Sequence, residues 1–390
     1  MRYFHFIIGL LGLTACTART PLSVQVVRSE MARCPEASWI DGQEGKLKWN
    51  YTTGLELKAF LDVYEHYGDT AVLNYVDAWY DAVIDSTGRI YKYKKSNYSQ
   101  DHICPGRTLL QLWALNGKEK YRAALDTLYS QILQQPRTFD GGFWHKAIYP
   151  GQMWLDGLYM AEPFYAEYTL RFVQDSLQRE ANYADIVHQF TTVYDHTLDP
   201  ATGLLRHAWD STGEMFWCNP ETGQSDHAWG RALGWYCMAL VDVAEILPQG
   251  SAHKDALIGL LRQVYNVLPL YADPATGLWY QVLDQPGREG NYLEATASAM
   301  FVYVWLKGAR LAYLPDQEGA VKAWQSLLDT FVRKDAEGLL NLDQCCEVAG
   351  LGGKQNRRGD YDYYIHEPVR SNDPKGIGPL IWAALEYENR

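Results

Sequence analysis

The sequence predicts an all-α fold, an (α/α)6 barrel of six helical hairpins. Three observations carry this. Apolar residues recur at three- and four-residue spacing in about a dozen segments. A glycine turn signature punctuates those segments at long, regular intervals. Runs with strict period-two alternation are scarce, so a large sheet is not expected.

The helical segments run in order. They are Val24–Met31, Leu55–Tyr67, Ala71–Ile84, Thr108–Trp113, Tyr121–Leu133, Leu158–Phe172, Tyr183–Tyr194, Ala232–Leu247, Ala256–Tyr271, Leu293–Leu311, Ala320–Phe331 and Ile377–Tyr387. The turn signature reads Asp85-Ser-Thr-Gly88, Asp140-Gly-Gly142, Asp199-Pro-Ala-Thr-Gly203, Asp273-Pro-Ala-Thr-Gly277 and Asp335-Ala-Glu-Gly338, with a weaker copy at Asp41-Gly-Gln-Glu-Gly45. From Gly88 onward the glycines are spaced by 54, 61, 74 and 61 residues. Asp bonds its own backbone in such turns, Pro suits the first corner, and Gly accepts positive φ. Each copy follows an odd-numbered helix, and a longer loop leads into the even one. Hairpins that need neighbours to bury their faces close into a double ring or stack into an open solenoid. The polar outer caps of a solenoid are not evident, which favours the ring.

The chain has 390 residues, 47% of them hydrophobic, enough for a substantial core. We expect residues 1–16 to be an export signal and residues 17–390 a single catalytic domain. Arg2 and the short apolar run Phe4–Leu13 fit a signal peptide. Leu13-Thr14-Ala15-Cys16 fits a bacterial lipobox, with Cys16 lipidated. This predicts a periplasmic or outer-membrane-anchored lipoprotein whose membrane contact is the N-terminal lipid alone. Six cysteines remain, without C-x-x-C spacing. Buried free thiols are expected, and a disulfide stays open.

A net charge of −12 argues against nucleic acid, which needs clustered Lys and Arg. Any acidic ligand must be held by a few placed donors, since the overall field opposes it. No metal constellation, phosphate loop or nucleophile elbow appears, so no metal or cofactor is expected.

The residues with chemistry cluster ahead of even helices. They are Asp101 with His102 and Arg107; Trp144 and His145, then Trp154-Leu-Asp156; and His207, then Trp229-Gly-Arg231 and Trp235. Starts of alternate helices share one rim, so these clusters should meet at one mouth. Asp156 and Asp101 read either as helix N-caps or as carboxyls among aromatics, where desolvation should raise the pKa of Asp156. With 14 Trp and 28 Tyr the chain is rich in rings that suit sugar faces. Trp154, Trp229 and Trp235 are candidates, although Trp235 lies a turn inside its helix and suits core packing. His145 and His207 fall on rim loops. Arg231 either pairs with Asp226 or grips a carboxylate.

Asp101-His-Ile-Cys-Pro-Gly-Arg107, Gly142-Phe-Trp-His-Lys146, Gln152-Met-Trp-Leu-Asp-Gly-Leu-Tyr-Met160, Trp229-Gly-Arg-Ala-Leu-Gly-Trp235 and the stretch Tyr364–Gly376 carry a resemblance. At these segments the chain resembles the unsaturated rhamnogalacturonyl hydrolases, glycoside hydrolase family 105, related to the unsaturated glucuronyl hydrolases. The resemblance implies an (α/α)6 barrel that removes a terminal 4,5-unsaturated uronate from lyase-generated oligosaccharides, rhamnogalacturonan fragments foremost. It implies Asp156 as proton donor and then base, Asp101 as a second catalytic carboxylate that orients the sugar or water, and His145, Trp154, His207, Trp229, Arg231 and Trp235 around the substrate. It implies no cofactor. Cys104 and His366 depart from the family pattern, which often has Asn and Ser there. Two other readings of the residues are an inverting glycosidase using Asp101 and Asp156, and a sugar-binding lipoprotein without catalysis.

Overall fold

The computed structural model describes residues 20–315 and 317–390. The expected signal segment and Cys16 lie outside the described residues. Helices form over α1 (Leu22–Arg33), α2 (Tyr51–Tyr67), α3 (Thr70–Val83), α4 (Gly106–Asn116), α5 (Glu119–Ile132), α6 (Leu155–Phe172), α7 (Ser176–Thr197), α8 (Gly230–Ile246), α9 (Ala252–Val267), α10 (Ala295–Arg310), α11 (Gln317–Phe331), α12 (Tyr361–Ile365) and α13 (Pro374–Glu388). All but α12 answer to a segment with helical periodicity. The five residues of α12 are too few to show a period, and Asp360 caps them by accepting from Tyr363 N.

Helices α2, α4, α6, α8, α10 and α13 form an inner ring. Each packs on the next, and α13 returns onto α2. That contact closes the barrel and excludes the open solenoid. The outer helices α3, α5, α7, α9 and α11 each back the inner helix that precedes them in the chain, and α1 backs α13. The division follows burial. Helices α8 and α10 are buried nearly all round, as an inner position demands, while α9 and α11 bury one stripe. The close approach of α4 to α6 depends on Gly106, where a Cβ would sit 2.6 Å from the Phe164 ring.

The repeated turn behaves as its residues predict. Gly203 and Gly277 both adopt φ +73°, and their N–H groups donate to Asp199 O and Asp273 O at 2.7 Å. Bridges Leu198↔Leu205 and Ala272↔Trp279 close the loops behind them. In the Asp140 copy the positive φ falls on Gly141 instead of Gly142.

The strands are three short antiparallel ladders: β1 (Gln152–Trp154) with β2 (Ala208–Asp210), β3 (Val332–Lys334) with β4 (Leu340–Leu342), and β5 (Cys345–Cys346) with β6 (Val369–Arg370). The six described cysteines are free thiols. No described helix is long and apolar enough to cross a membrane.

Candidate active site

All six inner helices begin at one rim, and the β1–β2 ladder lies across it. Its register pairs Trp154 with Ala208, and Leu155 N donates to His207 O at 3.1 Å just past its end. Asp156 and His207 therefore face one another, with Asp156 Oδ2 3.3 Å from His207 Nε2. Tyr364 OH meets the other imidazole nitrogen, Nδ1, at 2.7 Å. Asp156 is not a cap. Trp154 holds the N-cap position of α6, and Asp156 sits in the first turn, where the helix dipole favours an anion.

His145 is pinned through its backbone. Its N–H donates to Gln152 O at 2.8 Å, and its carbonyl accepts from Gln100 N at 3.1 Å. The ring stacks on Trp154 at 4.7 Å and 8°. Its Nε2 lies 3.5 Å from Asp101 Oδ1, and Lys146 Nζ lies 2.5 Å from Asp101 Oδ2. Asp101 caps no α-helix: it belongs to the 3-10 turn Gln100–His102, and Pro105 holds the N-cap position of α4.

Trp229 precedes α8 and donates from Nε1 to Gln281 Oε1 at 3.1 Å. Its ring faces His207 at 4.8 Å and stacks on Tyr364 at 6.0 Å. The Arg231 guanidinium lies 4.5 Å over the Trp229 ring, and Nη1 donates to Cys346 O at 2.5 Å. The alternative pairing of Arg231 with Asp226 does not form; the Asp226 carbonyl accepts from Arg206 instead. Trp235 is buried against Tyr159 at 4.9 Å, in the surroundings of a core side chain.

Sequence reasoning assigned no role to Tyr364, Gln281, Glu294, Lys146 or Cys346. Glu294 caps α10, accepting from Thr296 N and Ala297 N, and also takes Cys346 N. The rule that inner helices start at one rim finds Glu294 and Tyr364 once it is applied to α10 and α13 as well as to the earlier clusters.

The electrostatics correct one expectation. Burial pushes the Asp156 carboxyl up, but His207 beside it, with His145 and Arg231 nearby, outweighs burial and holds it below the ordinary value. Asp101 is also lowered, because Lys146 and His145 overcome its burial. Burial lowers His145 to about 4, so that ring is neutral at pH 7. Burial opposes charge on Arg231, yet Cys346, Asp373 and Glu294 around it raise its pKa. Burial raises Glu294, and Arg231 and three backbone N–H groups offset this only in part.

Four buried polar atoms in this cluster have no hydrogen-bond partner among the described residues: Asp156 Oδ2, His207 Nε2, His145 Nδ1 and Arg231 Nε. The first two are close but misaligned for a direct bond. Unpaired buried polar groups are costly, and a concentration of them marks a site built for something else. A cavity of about 270 Å³ adjoins Asp101, lined in part by Tyr51, His102, Arg370 and Lys375.

A helical barrel whose mouth sets carboxylates, imidazoles and an arginine among tryptophans and tyrosines is the architecture of a carbohydrate-processing protein. The sequence model of Glycosyl Hydrolase Family 88 matches residues 22–390. A solved family 105 glycoside hydrolase from C. acetobutylicum is 43% identical and superposes with a TM-score of 0.89, over 95% of this chain and all of the other. Unsaturated rhamnogalacturonyl hydrolase YesR of Bacillus subtilis is 26% identical over 269 residues, 67% of this chain and 72% of YesR. The unsaturated glucuronyl hydrolase of Bacillus sp. GL1, 12% identical, shares the fold with a TM-score of 0.67 over 94% of this chain and 95% of that one. The chain belongs to the family 88/105 glycoside hydrolases.

Proposed function

We propose that this glycoside hydrolase releases a terminal 4,5-unsaturated uronate from oligosaccharides left by a polysaccharide lyase, rhamnogalacturonan fragments foremost, by hydrating the C4=C5 bond. The observation that carries this reading is the set of four unpartnered buried atoms around Asp156 in an aromatic mouth. The set offers a carboxylate binder, an acid and neutral hydroxyl partners, which together match the groups of an unsaturated uronate.

Arg231 is fixed by Cys346 O on one side and keeps Nε free, which suits the uronate carboxylate. Asp156 gives its proton to C4, and positive charge develops at C5 and the ring oxygen. Water then adds at C5 and returns a proton to Asp156. The hemiketal opens by breaking the C5–ring oxygen bond, and C1, now a hemiacetal, releases the next sugar. The low pKa of Asp156 in the free protein fits this order. An arriving carboxylate adds a like charge and displaces water, and both raise the pKa at the moment a proton is needed. Asp101, tied to Lys146 and His145, is a positioning residue that holds the His145 ring.

The test follows the absorbance of the C4=C5 chromophore near the ultraviolet edge while the purified protein acts on unsaturated disaccharides. The expected result is loss of signal with a rhamnogalacturonan-derived substrate. No loss with rhamnogalacturonan, glycosaminoglycan or other uronate ends overturns the reading.

A further inference from the structure

We propose that the hairpin Gly350–Gly359 is a subsite for an acidic group, a carboxylate or a sulfate ester, on the sugars beyond the bond cleaved. This rests on the reading of the Asp156 mouth as the uronate site. Residues 349–359 carry Lys354, Arg357 and Arg358 and no carboxylate, in a chain of net charge −12. The hairpin is closed by Gly352 N donating to Arg357 O at 2.8 Å and Arg357 N donating to Gly352 O at 3.1 Å. Arg358 pairs with Asp360 at 3.2 Å, whereas Arg357 has no carboxylate partner among the described residues.

Arg357 Nε donates to Gly352 O at 3.4 Å, which leaves the two terminal nitrogens without a partner among the described residues, and glycines make room for them. A Cβ at Gly350 would fall 2.7 Å from Arg357 Nη1. A Cβ at Gly353 would fall 3.4 Å from Arg357 Nη2 and 3.2 Å from Tyr149 OH, so the cation and that hydroxyl border the same space. Leu351 anchors the hairpin in a small apolar cluster with Tyr149, Trp154, Ala208 and Trp217, apart from the barrel core. Trp217 is 2% exposed, and its Nε1 has no partner among the described residues.

The position links Arg357 to the chemistry. Tyr149 stacks on Trp154 at 5.0 Å and 19°, and Trp154 stacks on His145 at 4.7 Å. A row of stacked, largely buried rings thus leads from the Asp156 mouth to the hairpin, and a sugar chain extending from the mouth in that direction meets Arg357. The overall field repels such a chain, so a local fork of donors is what makes an acidic one preferred over a neutral one.

The test uses the mature chain, wild type, R357Q and R357K. Three lyase-type substrates are compared: an unsaturated disaccharide with a neutral second sugar, an unsaturated tetrasaccharide carrying a second uronate, and a sulfated unsaturated disaccharide. R357Q is expected to lower kcat/KM on an acid-bearing substrate about tenfold, mainly through KM, which is the value of one charge-assisted bond. The neutral disaccharide should stay within about twofold, and R357K should recover part of the loss. Loss on the tetrasaccharide alone assigns a carboxylate, and loss on the sulfated disaccharide alone a sulfate. Equal loss on all three, or on none, overturns the subsite. Should wild type turn over no unsaturated substrate, the functional reading fails; calorimetric binding of a saturated oligouronate then decides, and equal affinity of wild type and R357Q overturns the subsite.

Discussion

At the mouth where the inner helices begin, Asp156, His207, His145 and Arg231 each keep a buried polar atom without a partner. At the opposite mouth, where those helices end, a cavity of about 370 Å³ is also lined by buried charge. There the buried charges pair with one another, although Arg107 Nε too lacks a hydrogen-bond partner among the described residues. Asp242 lies 3.0 Å from Arg107 and 2.8 Å from Lys307, and Tyr303 OH donates to it at 2.6 Å. Lys307 reaches Glu245 at 2.8 Å, and Arg310 reaches Glu386 at 2.5 Å. Burial pushes Asp242 up, but Lys307 and Arg107 bring it down to about 2. One barrel thus holds two sets of buried ionisable groups. The set whose carboxylate is held by two protein cations and a tyrosine fixes the structure; the set in which carboxylate, imidazoles and arginine are all left short of partners is open to a ligand.

Conservative amide substitutions at the two aspartates should separate these roles. Asp156→Asn is expected to reduce turnover of the unsaturated disaccharide about 10³-fold, as for loss of a positioned acid and base. Its thermal midpoint should fall far less than that of Asp242→Asn, since only the modest lowering of the Asp156 pKa is lost. A variant with normal turnover would remove Asp156 from the mechanism and dissolve the contrast. Asp242→Asn should do the reverse. It leaves Arg107 and Lys307 short of a buried partner, at a cost of about 3–5 kcal/mol in urea unfolding, while kcat/KM of the folded fraction is unchanged. The pH dependence has a definite sign. The folded pKa of Asp242 is depressed, so its contribution is complete above the ordinary value of 3.8 and is lost as pH falls through about 2. The wild-type stability curve should steepen between those values, and Asp242→Asn should lack that part of the slope.

Much of the working mouth was legible in the sequence, because helical period and turn chemistry are local. The segments before α4, α6 and α8 could be assigned to one rim from helix alternation, and that brought Asp101, His145, Asp156, His207 and Arg231 together in advance. What escaped depends on contacts far apart in the chain. Tyr364 reaches His207 across 157 residues, and Cys346 O reaches Arg231 across 115. No periodicity encodes either. The lowered pKa of Asp156 escaped for the same reason. Its aromatic neighbours are adjacent in sequence and suggest desolvation, whereas the His207 that outweighs them arrives through the register of a three-residue ladder. The opposite mouth was not read at all, since Asp242 and Lys307 sit inside apolar helices and look like ordinary interruptions.

A smaller effect sharpens the account of the working mouth. His207→Gln removes the imidazole that lowers Asp156, so the Asp156 pKa should rise. The protonated carboxyl is the donor, and kcat/KM of the free enzyme falls as pH climbs through that pKa. The descending limb of the profile should therefore move to higher pH in His207→Gln, along with a drop of about tenfold or more at the optimum. An unmoved limb in an active variant would mean that another group sets it.

The smallest effect tests whether position at the working mouth is enough to matter for catalysis. The Asp273–Gly277 turn ends an outer hairpin arm and so lies on the same side of the barrel as Asp156. Gly277 has φ +73°, and a Cβ there would meet no atom within 4 Å. Gly277→Ala therefore isolates the cost of a left-handed backbone without any clash, about 1–2 kcal/mol. Chemical unfolding should show that loss, while kcat/KM and its pH profile stay as in wild type. The two Asp-Pro-Ala-Thr-Gly turns would then be architecture that happens to face the substrate side. A change in the pH profile would instead mean that the turn transmits to the Trp279–Gln281 segment behind it, whose Gln281 holds Trp229 and the Tyr364 carbonyl at 3.1 Å each.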